Sequence, residues 1–147
     1  MHPQPRSVAK ILLVLAVIMV VFWTLWYTQR SVVASETLPS YYDFENAFPL
    51  ADGLLTLSLL ASAWALWRNH PSSVLFGLLG AGGGFYLFGM DLIYDIEHGI
   101  WGKGAGGLIE LAINIITIAA SIFFARWLWM NRRTLDPPSN HLPTPQR

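Results

Sequence analysis

Hydrophobic residues in this chain come in four long runs, separated by shorter polar stretches. The runs cover roughly residues 8–27, 48–67, 73–95 and 106–130. An α-helix needs about 20 mostly apolar residues to cross a bilayer, and each run has this length. Because a backbone in hydrocarbon must satisfy its own hydrogen bonds, uninterrupted runs favour helices over a barrel of short alternating strands. We therefore predict an all-α integral membrane protein, a four-helix bundle formed by residues 1–133.

The segments between the runs predict different connections. The connection at 68–72 is short, so the second and third helices should form an antiparallel hairpin. In the longer loop before the second run, Ser40 and Asp43 have the spacing of a capping box and predict a short interfacial helix. The glycine-rich loop before the fourth run predicts a mobile connector. Residues 134–147 contain four prolines among polar residues and predict a disordered cytoplasmic tail.

Basic and aromatic residues predict how the helices are oriented. Cytoplasmic loops of membrane proteins carry an excess of Lys and Arg. One side of the bundle has only Arg30 and Lys103, and the other has Arg6, Lys10, Arg68, Arg126, Arg132, Arg133 and Arg147. Both termini are therefore predicted to be cytoplasmic, in a membrane of the bacterial plasma-membrane type. Two aromatic belts fit this orientation, with Trp23, Trp26 and Tyr27 on the outer side and Trp64, Trp67, Trp127 and Trp129 on the inner side.

Composition and charge exclude several classes of function. The chain is 54% hydrophobic, has a formal net charge of +0 and contains no Cys. A neutral chain without a basic patch gives no support for nucleic acid as a partner. Without Cys there are no disulfides, thiolate metal sites or thiol chemistry. No motif indicates a cofactor.

Three acidic residues lie inside the predicted spans, where an ionised group is costly. Asp52, Asp91 and Glu110 each lie about four residues from the outer end of a different helix. At 1.5 Å per residue this is roughly 6 Å below the interface. A charge costs ~2.5–3.5 kcal/mol at the midplane on insertion scales and less near the interface. The three helices are thus predicted to place carboxyl groups at one depth.

Helical spacing adds further polar residues to these three acids. Residues three or four apart share a helix face, which aligns Asp95 and His98 with the acid of the third helix and brings Tyr94 close. On the fourth helix Asn114 follows the acid by one turn, and Glu45 lies just above the second helix. These faces should turn inward, because polar groups facing lipid would remain unpaired.

We predict that these side chains form an outward-facing acidic cup in the bundle. It comprises Glu45, Asp52, Asp91, Tyr94, Asp95, His98, Glu110 and Asn114, and a metal ion, if one binds, would be held by Asp52, Asp91 and Glu110. Carboxyl groups this close together are expected to share protons or to bind a cation. The alternative is that they reach headgroup water or pair with Arg30 or Lys103.

Glycines on the third helix predict how the cup is supported. Gly77, Gly80 and Gly84 share the face that carries the acids, and small residues let the backbones of membrane helices approach closely. Tight packing below would leave a polar cavity above. The bundle as a whole is expected to form a homo-oligomer or to bind a partner membrane protein.

Three functions remain open from the sequence. The first is binding, or help in transport, of a cation, proton or small ligand at the acidic cup. The second is a role as an accessory or assembly partner of another membrane protein. The third is an intramembrane enzyme that uses two carboxyl groups on a lipid substrate. The Asn-x-x-Asp-Arg motif of four-helix lipoprotein signal peptidases is absent, so the enzyme is the least favoured.

Overall fold

The computed structural model describes residues 4–135, and within this range every regular element is helical. The elements are α1 (Pro5–Thr28), α2 (Arg30–Val33), α3 (Pro39–Glu45), α4 (Pro49–Trp67), α5 (Ser72–His98), a 3-10 turn (Ile100–Gly102) and α6 (Gly104–Leu135). Four helical segments are long and apolar enough to cross a membrane: α1, α3 continuing into α4, α5 and α6. The predicted all-α fold, with four helices long and apolar enough to span a membrane, is confirmed.

The last helix extends beyond its predicted end. Arg132 and Arg133 lie in the last turn of α6, where positive charge interacts favourably with the helix dipole. The helix therefore continues as far as Leu135, so the first two residues of the predicted disordered tail are helical. The rest of that tail, residues 136–147, lies outside the described residues.

The short helix predicted in the first long loop is present as α3, but it starts differently. Leu38 is the residue that precedes its first turn, Pro39 is the first helical residue, and no side chain caps the end. Proline is favoured at this position because its fixed φ suits a helix and it lacks an N–H that would be unpaired there. Ser40 lies inside the helix, so the predicted capping box is wrong.

The four long helices pack in chain order. α1 packs against α4, α4 against α5, and α5 against α6, whereas α1 and α6 do not pack along their length. α4 and α5 are joined by a short connection, whereas the connection from α1 to α4 is long and contains α2 and α3. We call the end with the start of α1 and the end of α6 the basic end, and the opposite end the acidic end.

A hydrophobic core fills the half of the bundle nearer the basic end. Its buried residues come from all four long helices: Val8, Ala9, Leu12, Ala16, Leu59, Ala63, Leu66, Ala81, Phe124, Trp127 and Leu128. Side chains from the start of α1 and the end of α6 share this core, although the two helices do not pack against each other along their length. Polar side chains are concentrated at the acidic end.

Three glycines of α5 lie where neighbouring helices approach most closely. A Cβ at Gly77 would overlap the Leu128 side chain, and one at Gly84 would overlap the Ser121 hydroxyl. A Cβ at Gly80 would lie 3.1 Å from the Leu59 side chain. These glycines therefore allow α4 and α6 to pack against α5 within one chain.

The aromatic side chains near the helix ends follow the predicted belts only in part. Tyr27, Trp64 and Trp129 are exposed, as membrane-interface residues would be. Trp26 and Trp127, in contrast, are buried, and Trp26 Nε1 donates a hydrogen bond to Asn46 Oδ1 at 3.0 Å. The belt interpretation is wrong for these two residues, which belong to the protein interior.

Candidate ligand site at the acidic end

Asp52 connects the first two long helices. It lies in the first turn of α4, where a negative charge is favoured by the helix dipole. Its Oδ2 accepts a hydrogen bond from Trp23 Nε1 of α1 at 2.9 Å. This carboxyl group thus has a neutral partner and a structural role between α1 and α4.

Glu110 connects α6 to the loop before α3. Ser35 Oγ donates to Glu110 Oε2 at 2.7 Å, and the Ser35 N–H donates to the hydroxyl of the buried Tyr41 at 3.3 Å. A Cβ at Gly106 would lie 3.0 Å from Ser35 Cα, so this loop lies directly on the start of α6. The loop covers the side of the cup that α6 forms.

Asp95 has the most hydrogen-bond partners of the acidic residues. Its Oδ2 accepts from Trp101 Nε1 at 2.9 Å and from Asn114 Nδ2 at 2.7 Å, and the residue is 3% exposed. Hydrogen bonds to an ionised acceptor are stronger than those between neutral groups. Asp95 therefore links α5 to the 3-10 turn and to α6.

This link also includes part of the glycine-rich connector. Ile100 in the 3-10 turn is completely buried, and a Cβ at Gly107 would overlap its carbonyl oxygen. Gly99 ends α5 in the left-handed conformation, with φ of 60°, which glycine adopts without strain. Gly99 thus serves a tight turn and Gly107 serves close packing, and the mobility of the connector stays a prediction.

Glu45 and Asp91 differ from the other acids because no donor reaches them. In residues 4–135, the hydrogen bonds to carboxyl groups go to Asp52, Asp95 and Glu110. Glu45, the last residue of α3, is only 8% exposed, and Asp91 is half-buried. Both lie within electrostatic range of the other carboxyl groups of the cup.

Asn114 adds a third acceptor without a partner. Its Nδ2 donates to Asp95 and, at 3.3 Å, to the carbonyl oxygen of Glu110. Its Oδ1 is buried and accepts no hydrogen bond from the described residues, and the whole residue is 2% exposed. A buried acceptor without a donor costs about 1–3 kcal/mol. The cup thus holds an excess of acceptors over donors.

The basic residues at this end do not neutralise the cup. Lys103 pairs with Glu36 outside the cup, with Nζ 3.0 Å from Oε1, which is the one ion pair among residues 4–135. The Arg30 guanidinium lies over the rings of Trp26 and Tyr42, 4.8 and 4.9 Å from their centroids. Neither Arg30 nor Lys103 therefore pairs with the buried acids, so this alternative is wrong.

Tyr94 and His98 form an aromatic stack at the rim of the cup. The Tyr94 ring lies between Phe44, with centroids 3.9 Å apart, and His98, with centroids 4.0 Å apart. His98 is exposed, and its Nδ1 donates to the Tyr94 carbonyl oxygen at 2.9 Å. Tyr94 holds α3 against α5 through its stack on Phe44, and neither Tyr94 nor His98 forms a hydrogen bond with the carboxyl groups.

The carboxyl groups are not arranged as a metal site. Across the described part of the chain, no group of three or more His, Asp or Glu side chains is placed to hold a metal ion. This applies to Asp52, Asp91 and Glu110, for which the sequence suggested that role. An acceptor-rich site without such a group suits a ligand that brings its own hydrogen-bond donors.

The sequence did not indicate the donors that hold the acids in place. The sequence positions of Trp23 and Trp101 suggested aromatic residues at the membrane interface. Ser35 lies in a loop that is far from Glu110 along the chain. Tyr41 is buried beside the cup, but the adjacent residue is also a tyrosine, so residue type alone does not identify the buried one. No local pattern distinguishes these residues, because their partners come from other elements.

Fold and site together define a helical integral membrane protein with a cluster of buried carboxyl groups at one end of its bundle. Comparison with known protein families, with curated protein sequences and with solved structures finds no match to this chain.

Proposed function

We propose that this protein binds a small ammonium-type cation in the acidic cup, from the outer side of the membrane. The observation that carries the proposal is the buried Oδ1 atom of Asn114, which accepts no hydrogen bond from the described residues, together with the carboxyl groups of the buried Glu45 and the half-buried Asp91, which no donor reaches. An ammonium group offers both positive charge and N–H donors to such a set.

Electrostatics support a cation over a neutral ligand. Carboxylates within electrostatic range of each other repel, and taking one out of water is costly unless a positive group is near or the carboxylate takes up a proton. The basic residues at this end are engaged elsewhere, with Glu36 and with the Trp26 and Tyr42 rings. A bound cation would supply the missing charge.

The half of the bundle nearer the basic end supports binding over conduction. A cluster of aliphatic and aromatic side chains from the four long helices occupies that half. The buried polar groups beyond the cup are hydroxyls such as those of Ser62, Ser73 and Ser121, and no carboxyl group of the described residues continues the cup toward the basic end. We therefore favour a receptor or accessory subunit that binds its ligand at one end.

The direct test is cation-dependent thermal stability in lipid nanodiscs, with methylammonium chloride as the probe and sodium chloride at equal ionic strength as the reference. A ligand that binds the folded state raises the melting temperature. We expect methylammonium to do so for the native chain, and expect the Glu45→Gln and Asp91→Asn double variant to abolish the effect. Asp43→Asn, an exposed acid on the same short helix as Glu45, is the control and should retain it. An equal shift in the double variant would contradict the proposal.

The proposal also predicts which side of the membrane the acidic cup faces. Because the chain has no Cys, single cysteines report on sidedness without background. Thr37→Cys, in the exposed loop at the acidic end, should react with a membrane-impermeant maleimide in intact cells. Thr134→Cys, at the exposed end of α6 beside Arg132 and Arg133, should react only after permeabilisation, since basic segments stay cytoplasmic. The reverse labelling pattern would place the cup on the cytoplasmic side.

The role as an assembly partner is the second candidate. The glycine face of α5 is already occupied, because Gly77, Gly80 and Gly84 contact α4 and α6 of the same chain. A partner would therefore have to use another face of the bundle.

A further inference from the structure

An apolar cavity lies below the acidic cup, between all four long helices. Its volume is about 170 Å³. The cavity is lined by residues of each helix, including Ile18 of α1, Leu59 of α4, Gly84 of α5 and Thr117, Ala120 and Ser121 of α6. Apolar cavities of about 150 Å³ stay dry and take up a six-carbon molecule such as benzene. This cavity has room for one hydrocarbon segment.

The cavity opens sideways, toward the lipid. α1 and α6 do not pack along their length, and Ile18 and Ile116, which line the gap between them, are 55% and 56% exposed. In a bilayer this opening faces hydrocarbon. A hydrocarbon chain can therefore enter the cavity without crossing a polar barrier.

A polar stripe on α6 joins the cavity to the cup. Glu110 and Asn114 belong to the cup, and Thr117 and Ser121, one and two turns below Asn114, line the cavity. On α5, Asp91 lies seven residues above the cavity-lining Gly84, which is about 10 Å along the helix. Along α6 the cavity therefore follows directly below the cup, with Thr117 and Ser121 as the polar groups nearest to it.

We infer that the ligand is a cationic amphiphile with a single hydrocarbon chain, whose ammonium group lies among the acids while its chain occupies the cavity. This inference rests on the proposed function and specifies its ligand. The cavity volume admits one chain and not two. The acids would repel the phosphate of a phospholipid, which leaves single-chain amines as the ligand class.

The test uses a series of n-alkylammonium chlorides, from methyl to dodecyl, added below their micelle concentrations to the protein in nanodiscs of neutral lipid. Binding is measured by thermal shift and corrected for partitioning into protein-free nanodiscs. Each methylene placed in an apolar site should tighten binding about fourfold until the cavity is full. The n-alkyl sulfates of equal length, which carry the opposite charge, should not bind.

Two alanines of α6 provide a matched pair of variants. Ala120 lines the cavity, whereas the adjacent Ala119 is exposed on another face. Ala120→Leu should weaken decylammonium binding at least tenfold and leave methylammonium binding unchanged, and Ala119→Leu should change neither. If Ala120→Leu fails to fold, Ile116→Trp at the exposed mouth of the cavity tests the same access.

The outcomes separate this inference from the proposed function. Tighter binding with chain length that also requires Glu45 and Asp91 supports both. Methylammonium binding that requires these acids, without tighter binding of longer chains, overturns the amphiphile and leaves the cation site. Chain-length dependence that persists in the Glu45→Gln and Asp91→Asn double variant overturns the inference, because the head group then lies elsewhere. The absence of binding by any amine overturns both.

Discussion

Gly84→Ala should lower the melting temperature of the protein, whereas Gly82→Ala, the same change two residues earlier, should leave it unchanged or raise it. A Cβ at Gly84 would overlap the Ser121 hydroxyl, while a Cβ at Gly82 would meet nothing within 4 Å. Overpacking a tight interface costs roughly 1–3 kcal/mol. At an open helical position, replacing Gly with Ala gains up to about 1 kcal/mol of helix propensity. The two variants should therefore differ in sign.

A second substitution shows whether the contact is the cause. Ser121→Ala removes the hydroxyl that the new methyl group would overlap, and the Ser121 Cβ is 3.6 Å from the Cβ position at Gly84, an ordinary contact. The Gly84→Ala and Ser121→Ala double variant should recover most of the lost stability. Thermal melts of the four proteins in one detergent give the coupling free energy, and interacting positions typically show about 0.5–3 kcal/mol. Additive effects would mean that α5 and α6 do not approach at Gly84.

The sequence predicted the helices well because their signal is local. Apolar runs and the membrane's length requirement suffice to place α1, α4, α5 and α6 within a few residues. The predictions from sequence were wrong where one residue type can serve in two different environments. Trp26 has the position of an interface aromatic but is buried and bonded to Asn46, and Gly107, in a glycine-rich loop, serves close packing against Ile100.

The members of the acidic cup were predictable, but their different roles were not. Helical spacing grouped Asp91 with Asp95 as if they were equivalent. Asp95 accepts two hydrogen bonds, from Trp101 and from Asn114, while Asp91 accepts none from the described residues. The donors come from other elements, so only the tertiary structure separates a structural acid from one that is free to bind a ligand.

That difference leads to the second large prediction, a pair of leucine substitutions one turn apart on α5. Asp95→Leu should strongly destabilise the bundle, because Trp101 Nε1 loses its acceptor and Asn114 Nδ2 keeps only its 3.3 Å bond to Glu110. Each buried donor left unpaired costs about 1–3 kcal/mol. Asp91→Leu should instead stabilise the protein without ligand, since it removes an acid that has no donor and lies near other acids.

Thermal melts in nanodiscs, with and without methylammonium, check this pair. Asp95→Leu should melt well below the native chain, or fail to yield folded protein, whereas Asp91→Leu should melt above it and no longer respond to methylammonium. A lower melting temperature for Asp91→Leu would mean that this carboxyl group stabilises the bundle and would count against a ligand site there. A binding residue that has no partner in its own chain is unfavourable in the protein without ligand, and only the bound ligand offsets this cost. Replacing such a residue should therefore raise the stability of the protein and abolish its response to the ligand.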